Sequence, residues 1–595
     1  MHSGDSFLIA DLLRAYRAKR LTPTEVIESA LARADQSADR HVWITRLSRE
    51  QLLGYARAVE RRSLDELPLY GIPFAIKDNI DLAGVATSAG CAQYSYVPTQ
   101  SAPVVQSLLD AGAIPLGKSN LDQFATGLVG TRSPYGACQN SINADFISGG
   151  SSSGSAVAVA AGLASFALGT DTAGSGRVPA AFNNIIGFKP SIGRLSTRGV
   201  VAACRSLDCV SIFSMTSEDA ARVLAVVEGY DAEDAYSRRL GDLAIPGRRF
   251  GVPRSDQLQF FGDGEYARLF DQATARIESL GGSLVRVDFA PFLEAGRLLY
   301  EGPWVAERYA AVGDFIHLNP SAVHPVTRQV IESGKAPGGV DVFRAQYRLM
   351  ALRRACEKIW DHVDVMITPT AGTIYRRAQV DADPIGLNTT LGYYTNYMNL
   401  LDLAGVAIPA GFRTDGLPFG VTVVGRRATD HALLALAGRL HRAYVNRLGA
   451  VNWPMPAPAE IPLGVPVSFT SLAVCGAHMD GLALNGQLRD RGGYLLRSTR
   501  TAASYRLFAL SGGPPQRPGL VRVISGGASI EVEVWAVRTA EFGSFVEGIP
   551  APLGIGTIEL EGGEKVRGFL CEAYATDGAV DITELGGWRA YMRRS

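Results

Sequence analysis

Five prolines fall within the thirteen residues 454–466, PMPAPAEIPLGVP, and this segment limits the folds open to the chain more than any other. Proline fixes φ and offers no amide hydrogen, so neither a helix nor a central strand continues through such a run. A proline-rich stretch instead forms a stiff, extended connection. With 595 residues, the chain is also long enough for more than one domain. We therefore predict a first domain over 1–453, a linker over 454–466 and a second domain over 467–595.

The apolar pattern differs on the two sides of this linker. Spacing typical of helices recurs in the longer part, at 7–36, 217–229, 265–281 and 340–362. Short apolar runs such as 363–370 alternate with these helices, which favours a layered α/β domain. In the shorter part, strands such as 520–525 and 530–537 are separated by Gly-rich turns.

Composition excludes several classes of protein. Lys plus Arg and Asp plus Glu both number 58, so the net charge is zero and the basic excess of a nucleic-acid-binding protein is missing. No apolar run reaches the roughly 20 residues that a membrane span needs. The nearest to one, Ala156 to Leu168, is predicted to be a buried helix. The N-terminal segment lacks the features of a signal peptide. We expect a cytoplasmic protein that binds neither nucleic acid nor membrane.

The cysteines give no sign of a metal site or of a disulfide framework. There are seven, scattered at positions 91, 138, 204, 209, 356, 475 and 571. Their number is odd and no CxxC pair occurs, which disfavours both zinc and disulfides. A reducing compartment suits such a chain, and we predict no metal and no cofactor.

The segment richest in glycine and serine is the strongest candidate for a site. It comprises Ser148–Ala156, SGGSSSGSA, and Thr170–Ala180, TDTAGSGRVPA. Composition alone allows a flexible linker, but the apolar stretch between the two pieces favours a packed domain. The spacings GxxxxGK[ST] and GxGxxG are missing, so a phosphate loop is weakly supported. Glycines that let backbone N–H groups converge, beside a nucleophilic serine, would suit acyl transfer.

Such a serine needs a base. The chain has eight histidines, and none lies in a Gly-rich motif within the first 300 residues. A desolvated lysine is the other base that can serve, because burial lowers its pKa from about 10.4. Lys77, at the end of the apolar run GIPFAI, is the candidate. From the residues alone, a surface lysine at the end of a strand remains the alternative.

Three motifs together resemble the amidase signature family: GIPFAIKDNI, GGSSSGSA and GTDTAGSGRVPAAFNNIIGFKPS. The resemblance covers about residues 5–450. It implies an α/β/α sandwich with a mixed central sheet and metal-free amide hydrolysis by Lys77, Ser151 and the nucleophile Ser175, with a cis peptide bond before Ser151. It also implies an oxyanion hole, made by the N–H groups of Thr172, Ala173, Gly174 and Ser175. The family usually has Gly where Ala173 stands, and Ala is small enough for this role.

Further segments resemble the allophanate hydrolases within that family, namely ACRSLDCVSIFS at 203–214 and YEGPWVAERYA at 300–310. The resemblance implies that the substrate is allophanate, N-carboxyurea. Its carboxylate would be bound by Tyr300 and Arg308, eight positions apart near one face of a predicted helix, with help from the backbone around Gly127. A solvated arginine and a packed tyrosine are the alternative from the residues alone.

The C-terminal part resembles the allophanate hydrolase C-terminal domain, through VCGAHMDGLALNGQL, IEVEVWAV and FGSFVEGIPAPLGIGTIEL. The resemblance implies a small α+β domain similar to γ-glutamyl-cyclotransferase-like folds, which promotes decarboxylation of the N-carboxycarbamate product. His478, in a Gly-rich turn, would be its key residue, and a purely structural histidine is the alternative.

The same resemblance implies a homodimer, and it names urea carboxylase or enzymes of the cyanuric acid pathway as candidate associates. Urea use and s-triazine breakdown both stay open. The rival functions are a broad-specificity amidase, an inactive binding scaffold and an amidotransferase-type subunit.

Overall fold

The computed structural model describes residues 6–245, 247–457, 469–491 and 493–594. The chain divides into two compact units. Unit 1 comprises Met1–Leu240 and Ile245–Ala459, and unit 2 comprises Gly241–Ala244 and Glu460–Ser595. Most of the predicted linker, from 458 onward, lies outside the described residues.

Unit 1 alternates helices and strands along the chain. Its helices are α1 Ile9–Arg17, α2 Pro23–Gln36, α3 Arg49–Glu60, α4 Pro103–Asp110, α5 Ser153–Ala160, α6 Val178–Phe182, α7 Ser217–Val227, α8 Gly264–Ser279, α9 Ala290–Arg297, α10 Trp304–Leu318, α11 Pro325–Glu332, α12 Gly339–Glu357, α13 Arg377–Ala382, α14 Gly386–Leu391, α15 Tyr397–Leu400 and α16 Asp430–Tyr444. Its strands are β1 Trp43–Arg46, β2 Pro73–Lys77, β3 Ile114–Ser119, β4 Phe166–Asp171, β5 Ile186–Lys189, β6 Cys209–Ser214, β7 Arg249–Pro253, β8 Ser283–Val287, β9 Val365–Pro369, β10 Ala404–Phe412, β11 Pro418–Gly425, β12 Arg447–Leu448 and β13 Trp453–Pro454.

One 11-stranded sheet forms the centre of unit 1, in the order β1-β3-β2-β4-β6-β5-β10-β11-β9-β7-β8. The sheet is mixed: β2 is parallel to β3 and β4, whereas β6 is antiparallel to β4 and β5. Every residue of β2, β4 and β6 is buried. A strand covered on both faces has no solvent-facing side, which is why the sequences of these strands do not alternate between apolar and polar residues. The predicted α/β class with a mixed central sheet is confirmed.

The helix predicted over Ala156 to Leu168 is wrong in its second half. α5 ends at Ala160, and β4 begins at Phe166. Gly162 has φ +67°, its N–H donates to Val159, and the N–H of Leu163 reaches back to Ala158. This is a Schellman end, which needs a left-handed residue that glycine provides without strain. The chain then enters the sheet instead of continuing as a helix.

The helix predicted over 7–36 is interrupted. α1 ends at Arg17 and α2 begins at Pro23, with Thr22 as its N-cap. Thr22 and Glu25 form a capping box, as their spacing predicts, and Pro23 occupies the first helical position.

Unit 2 is rich in strands. It contains β14 Phe469–Val474, α17 Asn485–Arg489, β15 Tyr494–Arg500, β16 Tyr505–Ala509, β17 Pro518–Arg522, β18 Glu531–Arg538, α18 Thr539–Glu547, β19 Leu553–Glu559, β20 Lys565–Cys571, β21 Val580–Asp581 and α19 Trp588–Met592. A five-stranded sheet runs β15-β18-β14-β20-β19, and a three-stranded sheet runs β17-β16-β21. Trp535 and Trp588 are buried in its own apolar core. The predicted α+β character of this part is confirmed.

All seven cysteines are free and buried. In the part of the chain that the structure describes, no helix has both the length and the apolar character to cross a membrane.

Candidate active site

Lys77 is the last residue of β2, and its side chain is completely buried. Its Nζ lies 2.8 Å from Ser151 Oγ and 2.7 Å from Thr170 Oγ1. These residues come from three places in the sequence: the end of β2, the turn before α5 and the end of β4. Because β2 and β4 are parallel neighbours in the sheet, their carboxyl ends lie side by side. The alternative of a surface lysine is therefore excluded.

Burial is the main cause of an unusual pKa at Lys77. Desolvation lowers the pKa of this amine to about 7, against the opposing influence of Asp122, Asp208 and Asp171. The guanidinium of Arg308 adds a smaller lowering effect. A large share of Lys77 is thus neutral near pH 7, and a neutral amine has a lone pair with which to accept a proton.

Two serines, Ser151 and Ser175, have predicted roles as the proton relay and the nucleophile. Ser151 is buried, and the peptide bond that joins it to Gly150 is cis. Ser175 is 4% exposed and follows β4 in the loop that precedes α6. A buried ion pair shapes this loop, because Arg177 Nε donates to Asp171 Oδ2 at 2.8 Å.

The predicted oxyanion loop uses one of its own N–H groups internally. Gly174 N donates to Asp171 Oδ1 at 2.9 Å, so this donor is already bonded. The hydroxyl of Thr172 donates to the buried Asp208, whose pKa is raised by desolvation. Ala173 is 2% exposed. An oxyanion at Ser175 would therefore depend on the backbone of Thr172, Ala173 and Ser175 more than on that of Gly174.

Tyr300 and Arg308 meet, although not as two positions of one helix. α10 begins at Trp304 with Pro303 as its N-cap, and Tyr300 lies in the turn before it. Arg308 Nη2 donates to the Tyr300 hydroxyl at 3.2 Å, and Nη1 donates to Thr126 Oγ1 at 3.1 Å. Arg308 is only 2% exposed, which excludes the alternative of a solvated arginine.

A cavity of about 230 Å³ lies beside this pair, with Tyr300, Thr126, Gly127 and Arg132 on its wall. Gly127 has φ +153°, and a Cβ there would come within 2.6 Å of Asp122 Oδ2. The position therefore excludes a side chain and leaves the backbone open to the cavity. Arg132 donates from Nη1 to the Thr126 carbonyl at 3.0 Å, so two guanidinium groups hold the same residue.

His478 lies in unit 2. Its Nε2 is 3.0 Å from Gln487 Oε1, and its ring stacks on Phe569 with centroids 5.0 Å apart. Burial lowers its pKa, and the bond to Gln487 opposes that effect. It lines a small cavity of its own, of about 80 Å³.

Two family models match this sequence. The Amidase model matches residues 25–434, and the Allophanate hydrolase C-terminal domain model matches residues 470–593. The first match spans most of the chain and includes Lys77, Ser151, Ser175 and Arg308. The chain belongs to the amidase family. The match indicates an amidohydrolase, and the contact between Lys77 and Ser151 falls within the matched range.

Individual relatives of this amidase-family chain include larger proteins. The chain is 42% identical over 589 residues to the urea amidolyase of Saccharomyces cerevisiae, covering 95% of this chain and 32% of the relative. It thus spans about a third of the length of that relative. It is also 32% identical to a glutamyl-tRNA(Gln) amidotransferase subunit of Deinococcus radiodurans, covering 75% of this chain and 98% of the relative. Among solved structures, Kluyveromyces lactis allophanate hydrolase is 40% identical, with 99% of each chain covered and a TM-score of 0.85.

Two residues of this site, Thr170 and Arg132, are not among those that the sequence predicts. Thr170 stands at the start of the TDTAGSG motif, and its nearness to Ser175 was the only available signal. Arg132 stands in no recognisable motif. Its position depends on the loop after β3, which turns back around Asp122, and the Arg132 N–H donates to Asp122 Oδ1.

Proposed function

We propose that this chain is an allophanate hydrolase, which hydrolyses the terminal amide of allophanate and releases ammonia. The contact between the buried Arg308 and Tyr300, beside a cavity in the unit that holds Lys77, carries this proposal. A small anionic substrate needs a desolvated cation, and this arrangement supplies one. The name of the K. lactis structure agrees with that substrate.

The first chemical step is a proton relay. Neutral Lys77 takes a proton from Ser151 Oγ, which takes one from Ser175 Oγ as that oxygen attacks the amide carbonyl. Lys77 Nζ contacts both the Thr170 and the Ser151 hydroxyl groups, so a bond donated to Thr170 leaves the lone pair of the neutral amine for the proton of Ser151. The backbone N–H groups of the loop after β4 stabilise the negative charge on the carbonyl oxygen.

The relay then runs in reverse. Lys77 returns its proton through Ser151 to the leaving nitrogen, and ammonia departs as the carbon–nitrogen bond breaks. Water, activated by the same groups, hydrolyses the acyl-enzyme and restores Ser175. Arg308, Tyr300 and the backbone at Gly127 hold the substrate carboxylate throughout, which fixes the scissile carbonyl at the nucleophile.

We assign the second step to the C-terminal part of the chain. The product of the first step, N-carboxycarbamate, loses carbon dioxide when its carbon–nitrogen bond breaks and the nitrogen gains a proton. Gln487 Oε1 accepts a hydrogen bond from His478 Nε2, so Nδ1 is the ring nitrogen left to exchange that proton. The domain boundaries predicted from the sequence, 1–453 and 467–595, are part of this proposal.

The deciding experiment compares ammonia release from allophanate with release from simple aliphatic amides, with Ser175→Ala as the inactive control. An allophanate hydrolase prefers allophanate strongly. Comparable rates on uncharged amides would favour the broad amidase, and the D. radiodurans relative makes an amidotransferase-type subunit the second candidate. A subunit of that type would need a partner for full activity, whereas an allophanate hydrolase would act as the purified chain.

We also propose that two copies associate. α12 carries Val340, Phe343, Tyr347 and Met350 at helical spacing, and each side chain is more than half exposed. A twofold axis would pack this apolar stripe against its own copy. Sedimentation of Tyr347→Glu, with Val97→Glu as an exposed control elsewhere, tests this: only the α12 variant should sediment as a monomer.

Urea carboxylase is the associate that the urea amidolyase relatives favour. The seven free thiols fit the predicted cytoplasm.

A further inference from the structure

The cavity beside His478 is built for something small. Its volume is about 80 Å³, and β14, the turn after it and the start of β17 contribute to its wall. Apolar side chains, including Leu553, Ile549 and Phe569, cover part of the wall. Gly476 belongs to the turn, and a Cβ there would lie 2.4 Å from Pro518 Cδ, so the turn and β17 pack closely.

Among the described residues that line this cavity, the ionisable ones are Cys475, His478 and Arg517, and no Asp or Glu is present. Burial raises the pKa of Cys475 to about 12, so its thiol is neutral. Burial lowers the pKa of His478, so its ring is mostly neutral near pH 7. Arg517 is therefore the formal charge on this wall, and the cavity is electropositive.

Arg517 differs from the other arginines around it. Arg522, Arg506 and Arg489 are each ion-paired, with Glu559, Asp581 and Asp480 respectively. For Arg517, in contrast, the described part of the chain offers its guanidinium no hydrogen bond and no carboxylate within 4 Å. The side chain is half-buried, directly before Pro518 at the start of β17. Its five N–H donors are free to bind a planar oxyanion in a two-pronged manner.

We propose that Arg517 binds one carboxylate of a small dicarboxylate in this cavity, next to His478. This inference rests on the proposed function, in which that ligand is N-carboxycarbamate. Arg517 holds one carboxylate, and the other faces the apolar wall, where a concentrated charge is poorly solvated. The carbon–nitrogen bond to that second carboxylate breaks, its electron pair stays on nitrogen, and nitrogen takes a proton through His478. The products are carbon dioxide and carbamate, which remains on Arg517.

The first test is a two-channel assay of ammonia and carbon dioxide on the full chain. Arg517→Gln should leave the first ammonia release unchanged and slow carbon dioxide release by about tenfold or more. Arg522→Gln is the matched control, since it removes a nearby arginine, at the end of β17, that is ion-paired with Glu559. Equal carbon dioxide rates for wild type and Arg517→Gln, or equal losses in both variants, would overturn the inference. Should Arg517→Gln not fold, Arg517→Lys keeps the charge without the planar fork and should slow carbon dioxide release less.

The second test does not depend on turnover. The NMR signal of His478, assigned with His478→Ala, should shift when malonate is added to the wild type and should not shift in Arg517→Gln. The pKa of His478 should also rise in Arg517→Gln, because the guanidinium charge contributes to lowering it. A malonate shift that persists without Arg517 would refute the role of this side chain. A wild type that shows the shift but releases no ammonia from allophanate would instead contradict the proposed function.

Discussion

Lys77 shows how position alone changes the chemistry of a common side chain. In water its amine would be protonated at neutral pH, but here its wholly buried Nζ lies between two hydroxyl groups. Asp122, Asp171 and Asp208 favour the charged form through space, and desolvation outweighs them. The outcome is a pKa of about 7, which matches a base to its working pH.

This pKa gives a prediction about pH. Lys77 acts in its neutral form, so kcat/KM for the first ammonia release should rise about tenfold per pH unit below pH 7 and level off above it. The profile is measured with Arg308→Lys as a control, which keeps the positive charge near Lys77. A flat profile between pH 5.5 and 8 would show that Lys77 is not the base.

Removing either end of the relay should abolish the chemistry and keep the fold. We expect Ser175→Ala and Lys77→Ala each to lower kcat by roughly a thousandfold or more, and the double variant to lose little beyond the worse single one. Circular dichroism and thermal unfolding verify that the fold persists. Losses that multiply in the double variant would mean that the two residues act independently.

Replacing Arg308 should affect hydrolysis of the anionic substrate more than hydrolysis of an uncharged amide. Arg308→Ala should raise KM for allophanate by about a hundredfold, since a buried charge pair in a pocket is strongly coupled. Hydrolysis of an uncharged amide should fall much less. Steady-state kinetics on both substrates decides the matter, and matched losses would make Arg308 a structural residue.

The sequence predicts the site unevenly. Lys77, Ser151 and Ser175 stand in dense local motifs, and the structure places Lys77 and Ser151 in contact, while their catalytic roles stay predictions. Arg132 and Arg517 have no such motif, and their positions follow only from loops that return to a site from a distance. Local sequence carries little information about that kind of return.

At the scale of the elements, one glycine in a strand allows close packing of the loop that holds the predicted nucleophile. Gly187 lies in β5, and a Cβ there would come 2.2 Å from the Gly176 carbonyl oxygen. The loop from Asp171 to Arg177 therefore packs directly on the backbone of β5.

Gly187→Ala should destabilise the protein by about 1–3 kcal/mol through overpacking and should lower kcat by displacing Ser175. Gly54→Ala is the matched control, because its Cβ would meet nothing within 4 Å and it lies in α3. That variant should gain about 0.5–1 kcal/mol, as alanine favours a helix over glycine. Thermal unfolding and kcat of both variants are the measurements. Unchanged stability in Gly187→Ala would mean that the loop moves to accommodate the added methyl group without a loss of stability.

Element prediction succeeds where a local signal exists. The capping box at Thr22 and Glu25 predicts the start of α2. The apolar spacing predicts α7, α8 and α12. It fails between α5 and β4, because residues 156–168 are apolar in both conformations and only the backbone at Gly162 decides. The order of the 11 strands depends on contacts between distant segments, which periodicity does not encode.

At the scale of the whole molecule, each unit has its own apolar core. A chain that ends near Ala457 should therefore fold and keep the first ammonia release, while its product decays only at the spontaneous rate. Ammonia and carbon dioxide are followed together, with the full-length chain as the control. Loss of amide hydrolysis in a folded truncated chain would show that the first step needs unit 2.

The burial of the cysteines has a practical consequence. A thiol inside the core reacts with maleimide only when its surroundings open, so labelling rates report local unfolding. Cys475 and Cys571 belong to unit 2, and the other five belong to unit 1. Mass spectrometry of a labelling time course would therefore record, without any engineered probe, which of the two units unfolds locally first as denaturant is added.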